Sequence, residues 1–224
     1  MIGRERYAAL KKREKLYLAE KTVSTVNALV TGGLALYSIT SGGYHGDVLH
    51  PYPAAAHYAL GIFSGYSLYD TTVMALGAHE PPIMWLHHIL GFGGAFAEMC
   101  FRELSFFPVA FAISELTVIP FNAIWYLSKF NVPRTSRVMR VALITRAVAF
   151  LAIRAPIGIF TMAYAHNQTK GGLPALLNRI YTGRETSRIF ATGVFLNTMA
   201  FAIMNLIWTI QAIKASTKGR KKEE

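Results

Sequence analysis

Two adjacent imidazoles, His87 and His88, stand near the start of one apolar stretch, and the carboxylate of Asp70 stands near the end of the stretch before it. Imidazole titrates near neutrality and can act as a general base or carry a transient acyl group. A neighbouring carboxylate would set its tautomer and basicity. Farther along, Glu115, Asn122, Arg146, Arg154, Asn197 and Asn205 also fall inside apolar runs. Glu115, Asn122 and Arg146 have the groups to position a headgroup or stabilise an oxyanion. A charge at mid-helix costs about 2.5–3.5 kcal/mol on insertion scales, so such residues normally face a partner or a wet cavity.

Each residue also has a plainer reading. The histidines can hydrogen-bond neighbouring helices, Asp70 can pair with Arg146 or Arg154, and Asn197 and Asn205 can join helix to helix. Glu98 and Arg102, at i and i+4, read as an interfacial ion pair. On a helix His87 and His88 point about 100° apart, so they are not expected to act alike. Glu115 and Asn122, seven residues apart, share a face. His79, Glu80, His87 and His88 are close enough in sequence to suggest iron or zinc. The repeated histidine boxes of membrane di-iron hydroxylases and desaturases are absent, however, and neither a metal nor another cofactor is expected.

The elements that must carry these residues are apolar helices. Only 16% of the 224 residues are charged and 53% are hydrophobic, against about 25% charged in soluble domains. Six stretches, at about 22–40, 54–76, 83–101, 106–128, 137–165 and 188–213, have the length to cross a bilayer as helices. Turn-forming residues separate them: Ser41-Gly42-Gly43, His79-Glu80-Pro81-Pro82, Arg102-Glu103, Asn131-Val132-Pro133 and a long polar stretch from His166 to Ser187. The expected fold is all-α, a multi-pass membrane bundle of about six transmembrane helices over residues 22–215. A basic segment (1–21) precedes it and a basic tail (216–224) follows. Arg4–Lys21 reads either as an amphipathic interfacial helix or as a charged extension of the first span.

Depth sharpens the pattern. At 1.5 Å per residue, Asp70 lies about 9 Å from the end of its span that faces the basic tails, His87 and His88 about 7 Å, Asn122 about 9 Å and Asn205 about 10 Å. Arg146 is slightly deeper and Glu115 is near the midplane. Four spans therefore present polar groups in one layer.

The net charge of +11 is distributed unevenly. Seven basic residues precede Thr22, five close the chain, and Lys129, Arg134, Arg137 and Arg140 share a loop. With an even number of spans these 16 lie on one side, against five (Arg102, Lys170, Arg179, Arg184, Arg188) on the other. That bias places both termini in the cytosol. The basic residues flank apolar runs and form no aromatic-laced patch, so nucleic acid is not an expected partner. A single cysteine, Cys100, precludes an intrachain disulfide. No cleavable signal peptide is evident, and Glu5, Glu14 and Glu20 weaken a mitochondrial transit-peptide reading, although a mitochondrial membrane stays as the alternative location. Lys221-Lys222-Glu223-Glu224 resembles the dilysine retrieval signal of endoplasmic-reticulum membrane proteins, or is a solubilising tail. Asn167-Gln168-Thr169 is a glycosylation sequon.

Several pieces occur together in order: Ser64-Gly65-Tyr66-Ser67-Leu68-Tyr69-Asp70, then His87-His88, then Glu115-Leu116-Thr117-Val118-Ile119-Pro120-Phe121-Asn122-Ala123-Ile124-Trp125, then Arg154 and Asn205-Leu206-Ile207-Trp208. The set resembles the TLC-domain family, which includes ceramide synthases and the translocating-chain-associating membrane protein, and covers roughly residues 22–215. The resemblance implies a six-helix bundle whose cavity suits a lipid chain. His87, His88 and Asp70 are its candidate catalytic residues. Glu115, Asn122, Trp125, Arg146, Arg154 and Asn205 are its candidate lipid contacts. Ceramide synthases follow their paired histidines with a longer signature containing a His-Asp pair and a second aspartate. Here Ile89-Leu90-Gly91-Phe92-Gly93-Gly94 follows instead, so acyl-CoA-dependent ceramide synthesis does not carry over.

Two functions remain in competition. One is lipid handling or acyl transfer within the bilayer, with a membrane lipid or acyl chain as partner. The other is a non-enzymatic lipid-sensing, cargo-escort or accessory role beside protein partners in the membrane. A transporter is weaker, because Pro120 and Pro156 hint at broken helices but no inverted repeat is apparent.

Overall fold

Along Lys12–Thr40 (α1) the buried positions include Ser24, Asn27, Ala28, Thr31, Gly32, Ala35 and Ser38, whereas Val26, Leu29 and Leu36 face outward. A water-soluble helix does the opposite. Bulky aliphatics outside and small or polar residues inside is the packing of helices solvated by lipid, where small residues let backbones approach and polar groups bond across. The same inversion recurs in Ala54–Ala75 (α2), which buries Ser64, Ser67 and Asp70 and exposes Tyr58 and Leu68.

The computed structural model describes residues 7–77, 80–183 and 186–217. Among them every regular element is helical. After α1 and α2 come Pro82–Phe101 (α3) and Phe106–Ala112 (α4). A tight turn, Ile113–Thr117, leads from α4 into Val118–Lys129 (α5). Arg137–Ala149 (α6) passes through a wide turn, Phe150–Arg154, into Ile157–Gln168 (α7). Gly172–Thr182 (α8) and Arg188–Thr217 (α9) follow. Four helical rods are long and apolar enough by themselves to cross a membrane: Lys12–Thr40, Phe106–Lys129, Arg137–Gln168 and Arg188–Thr217. Helices α2 and α3, of 22 and 20 residues, have spanning length as well. Their mean hydropathy is diluted by Asp70, His87, His88 and Glu98, all of which they bury. The chain is thus a multi-pass membrane bundle of four to six crossings.

Side-chain bonds tie the rod ends together. At the end nearest the termini, Tyr17 donates to Glu80, Thr22 meets Tyr126, Lys129 pairs with Glu14 and Arg134 donates to the Ala215 carbonyl. At the opposite end the loop between α1 and α2 folds inward, burying Tyr44, Val48 and Leu49. Ser105 meets Tyr44 and donates to the Pro51 carbonyl, and the Leu104 amide donates to the Leu49 carbonyl.

From Lys12 onward the charged segment and the first span form one helix. Two expectations change. The polar stretch 166–187 is not merely a loop, because α8 lies within it and buries Leu176 and Ile180. The spacing of Leu173, Leu176, Leu177 and Ile180 is the helical signal that polar neighbours obscured. Finally, Glu98 and Arg102 do not pair. Arg102 adopts a left-handed conformation (φ 58°) just past the end of α3, and its guanidinium packs over the Tyr52 ring. The i,i+4 rule applies only while both residues stay on the helix. Arg4, Arg6, His79, Arg184 and the terminal dilysine lie outside the described residues.

Candidate functional site

Two proline-associated irregularities place the central charges. Pro156 lacks an N–H, and its ring crowds the carbonyl one turn earlier. The chain widens there, and the Ala155 amide bonds the Phe150 carbonyl at 2.9 Å, five residues back. The widened turn carries Arg154 inward to 5% exposure. Its Nε donates to Thr117 Oγ1 at 2.5 Å and its Nη1 to Asn205 Oδ1 at 2.7 Å. The guanidinium also lies 5.0 Å from the Phe150 ring centroid and 5.2 Å from that of Trp208, within cation–π range.

On the facing rod the chain tightens before Pro120, and the narrow turn Ile113–Thr117 presents Glu115 to the interior. Gly32 of α1 permits this turn to come close, since a Cβ there would stand 2.6 Å from Leu116 Cγ. Glu115 consequently lies within electrostatic range of Arg154, His88 and Asp70.

His88 Nε2 stands 2.7 Å from Asp70 Oδ2. His87 has no such partner. Its ring packs against His88, Phe201 and Trp208 at centroid distances of 5.0, 5.1 and 5.0 Å. Both histidine Nδ1 atoms, Asp70 Oδ1 and Asn205 Nδ2 are buried without a hydrogen-bond partner. The two imidazoles are therefore chemically distinct, one set by a carboxylate and one wedged among aromatic rings.

Of the residues anticipated from sequence, the fold brings His87, His88, Asp70, Glu115, Arg154 and Asn205 into one buried polar cluster. It leaves three elsewhere. Asn122 ties α5 to α1 by donating to the Lys21 carbonyl, Ser24 and Thr25. Trp125 lines an outer recess with Leu18 and Phe130. Arg146 donates to the Ala212 carbonyl in the last turns of α9, where positive charge favours the helix C-terminus. Neither Arg146 nor Arg154 pairs with Asp70; His88 does. Among the described residues no three His, Cys, Asp or Glu side chains converge to hold a metal ion.

A cavity of about 310 Å³ lies between α2, α3, α4 and α9, next to the cluster. Its wall is mostly Phe, Leu, Ala and Gly, and Glu115 and Glu98 both belong to it. Gly93 and Gly193 line it and are exposed at the bundle surface, and a Cβ at either would meet nothing within 4 Å. The cavity thus opens sideways between α3 and α9. Phe201 lines it too, and its ring packs 5.1 Å from that of His87. Glu98, Thr117 and Phe201 were not singled out as site residues from sequence. Thr117 lay inside the Glu115–Trp125 run, but nothing local marks a lone Phe as a neighbour of both the cavity and a histidine.

No curated protein and no solved structure matches the chain. A family model, the TLC domain, matches residues 18–214, a range that holds the polar cluster, the cavity and both irregular turns, so the chain belongs to the TLC-domain family.

Proposed function

We propose that this protein belongs to lipid metabolism and takes a lipid or acyl chain into the cavity between α3 and α9, with the polar cluster acting on or holding the chain's reactive end. One observation carries the reading: Glu115 is at once part of the apolar wall and within electrostatic range of His88, Asp70 and Arg154. An apolar chain and a polar group would thereby meet at one residue. A volume near 310 Å³ is at the small end of ligand pockets, which run from about 300 to 1,000 Å³. In an acyl-transfer step His88 would serve as general base or transient acyl acceptor through Nδ1, the nitrogen that faces away from Asp70. Arg154 and Asn205 would stabilise developing negative charge.

A non-enzymatic reading is favoured by Phe201. Its ring stands beside His87, and neither histidine is part of the cavity wall. In that reading the protein senses or escorts a lipid, or serves as an accessory subunit, and the cluster fixes helix register. The membrane in question is proposed to be the endoplasmic reticulum, with both termini cytosolic.

The deciding experiment compares wild type with Gly193→Phe and His88→Ala in microsomes, and follows both co-purified lipid and lipid acylation. Gly193→Phe is expected to empty the cavity without disturbing packing, because a side chain there starts in open space. Lost acylation with retained lipid in His88→Ala supports chemistry, and unchanged acylation supports the escort reading. Lipid retained by Gly193→Phe overturns both.

A further inference from the structure

Among the described residues, Glu98 has both carboxyl oxygens fully buried and neither answered by a hydrogen bond. It is 1% exposed, it lines the cavity, and both Oε1 and Oε2 lack a hydrogen-bond partner. The nearest basic residue in sequence, Arg102, is turned onto Tyr52 by the left-handed cap. Burial of an unanswered carboxyl is costly in any ionisation state. The other polar groups of the cavity wall are the amide of Asn197, the carboxyl of Glu115 and the hydroxyls of Ser114 and Thr198. Asn197, another lining residue, donates to the Leu90 carbonyl at 3.4 Å and has its Oδ1 buried without a partner. Glu115 supplies a second carboxyl. Among the described residues lining the cavity there is no Lys, Arg or His.

We propose that Glu98 anchors the polar end of the cavity's occupant, and that this occupant is an amphiphile ending in a hydrogen-bond donor, a hydroxyl or an amine. The proposal rests on the reading of the cavity as a chain-binding site and adds the class of headgroup. Ionised, Glu98 is acceptor-only; protonated, it still has an oxygen that accepts. A hydroxyl, which donates and accepts, answers it in either state, and an ammonium answers it when ionised. A carboxylate or phosphate headgroup finds no cation on this wall and meets two carboxyls instead. Glu98 lies near the end of α3 remote from His88, ten residues along the helix, about 15 Å at 1.5 Å per residue. The donor end and the histidine cluster therefore stand at opposite ends of the occupant, so the site would sort lipids by the group farthest from the reacting layer.

The test titrates the full chain, in phosphatidylcholine nanodiscs, with 1-dodecanol, dodecylamine, dodecanoate and dodecane, read by native mass spectrometry. The alcohol or the amine is expected to bind at least about tenfold tighter than dodecane, the ratio one hydrogen bond to a charged or buried group supplies. Dodecanoate is expected to bind worse than either. Glu98→Leu, which places a compatible apolar side chain at a buried position, should erase the preference while leaving dodecane within about twofold. Glu98→Gln should keep the alcohol, and should lose the amine if the anchor is a carboxylate. Stronger amine than alcohol binding in wild type identifies an ammonium ligand, and the reverse a hydroxyl. A preference that survives Glu98→Leu, equal binding of dodecane, or preferred binding of dodecanoate overturns the proposal. Gly193→Phe separates the two readings. If it leaves all binding intact, the chain-binding site itself is wrong. If it abolishes binding while Glu98→Leu changes nothing, only the anchor is wrong.

Discussion

His88 Nε2 and Asp70 Oδ2 stand 2.7 Å apart, and 4% and 8% of their side chains are exposed. Nitrogen and oxygen lone pairs cannot approach so closely without a proton between them, so Nε2 is engaged and Nδ1 is the free position of the ring. Removing either partner leaves the other buried and unanswered. Asp70→Leu and His88→Leu are each expected to destabilise the protein by about 3 kcal/mol, and the double variant by little more than one of them. Thermal unfolding of the four proteins in detergent measures this. Additive losses would show that the two side chains act independently.

Gly32 and Gly33 are neighbours with opposite demands. A Cβ on Gly32 collides with Leu116, whereas one on Gly33 meets nothing within 4 Å. Gly32→Ala should cost about 1–3 kcal/mol by overpacking the α1 contact with the tight turn. Gly33→Ala should be neutral or should stabilise by about 0.5–1 kcal/mol through helix propensity. Equal melting temperatures for the two variants would contradict the close approach that seats Glu115.

Arg154 holds Thr117 and Asn205 from two nitrogens of one planar group and stacks on two aromatic rings. Lysine keeps the charge but lacks the fork. Arg154→Lys is expected to lose about 1.5–3 kcal/mol, the value of hydrogen bonds to a charged group. Arg134→Lys at the exposed α9 end should stay within about 0.5 kcal/mol. Chemical denaturation in mixed micelles compares the two, and a tolerant Arg154 would remove it as the organiser of the cluster.

Asp47, in the loop between α1 and α2, gives a pH signature outside the membrane helices. Burial pushes its carboxyl up, but the Leu49 amide and the His50 ring outweigh that and hold it below its ordinary value of 3.8. A depressed carboxyl contributes stability that is present above its unfolded value and is lost as pH falls through the folded one. Hydrogen-exchange protection of the Leu49 amide should accordingly drop below about pH 4. Asp47→Asn should abolish that drop. Protection that falls equally in both proteins would assign the acid sensitivity to another group.

The rods were legible because lipid is a uniform solvent. Length and apolar composition alone set where α1, α2, α3 and α9 run, and Pro81-Pro82 and Asn131-Val132-Pro133 mark two of the turns between rods. Helix α8 escaped because its apolar stripe is short and sits among Lys170, Arg179 and glycines. Its place is decided by the groove it fills, and local composition says nothing about that groove.

Sequence by itself determined the apolar helical bundle and its family, since length and composition suffice for the bundle and the ordered motifs for the family. The expected single layer of polar residues is divided: Asn205 meets Arg154, while Arg146 meets Ala212 two turns farther along α9 and Asn122 meets α1. Rotation about each axis and the partner across the gap were decided by tertiary structure alone. The widened turn before Pro156 swings Arg154 onto Thr117 and Asn205, leaving Asp70 to His88. The left-handed cap at Arg102 takes away the partner that i,i+4 spacing assigned to Glu98. Both outcomes turn on one irregular residue or turn, because a helix transmits a local change in winding to the direction of every side chain beyond it.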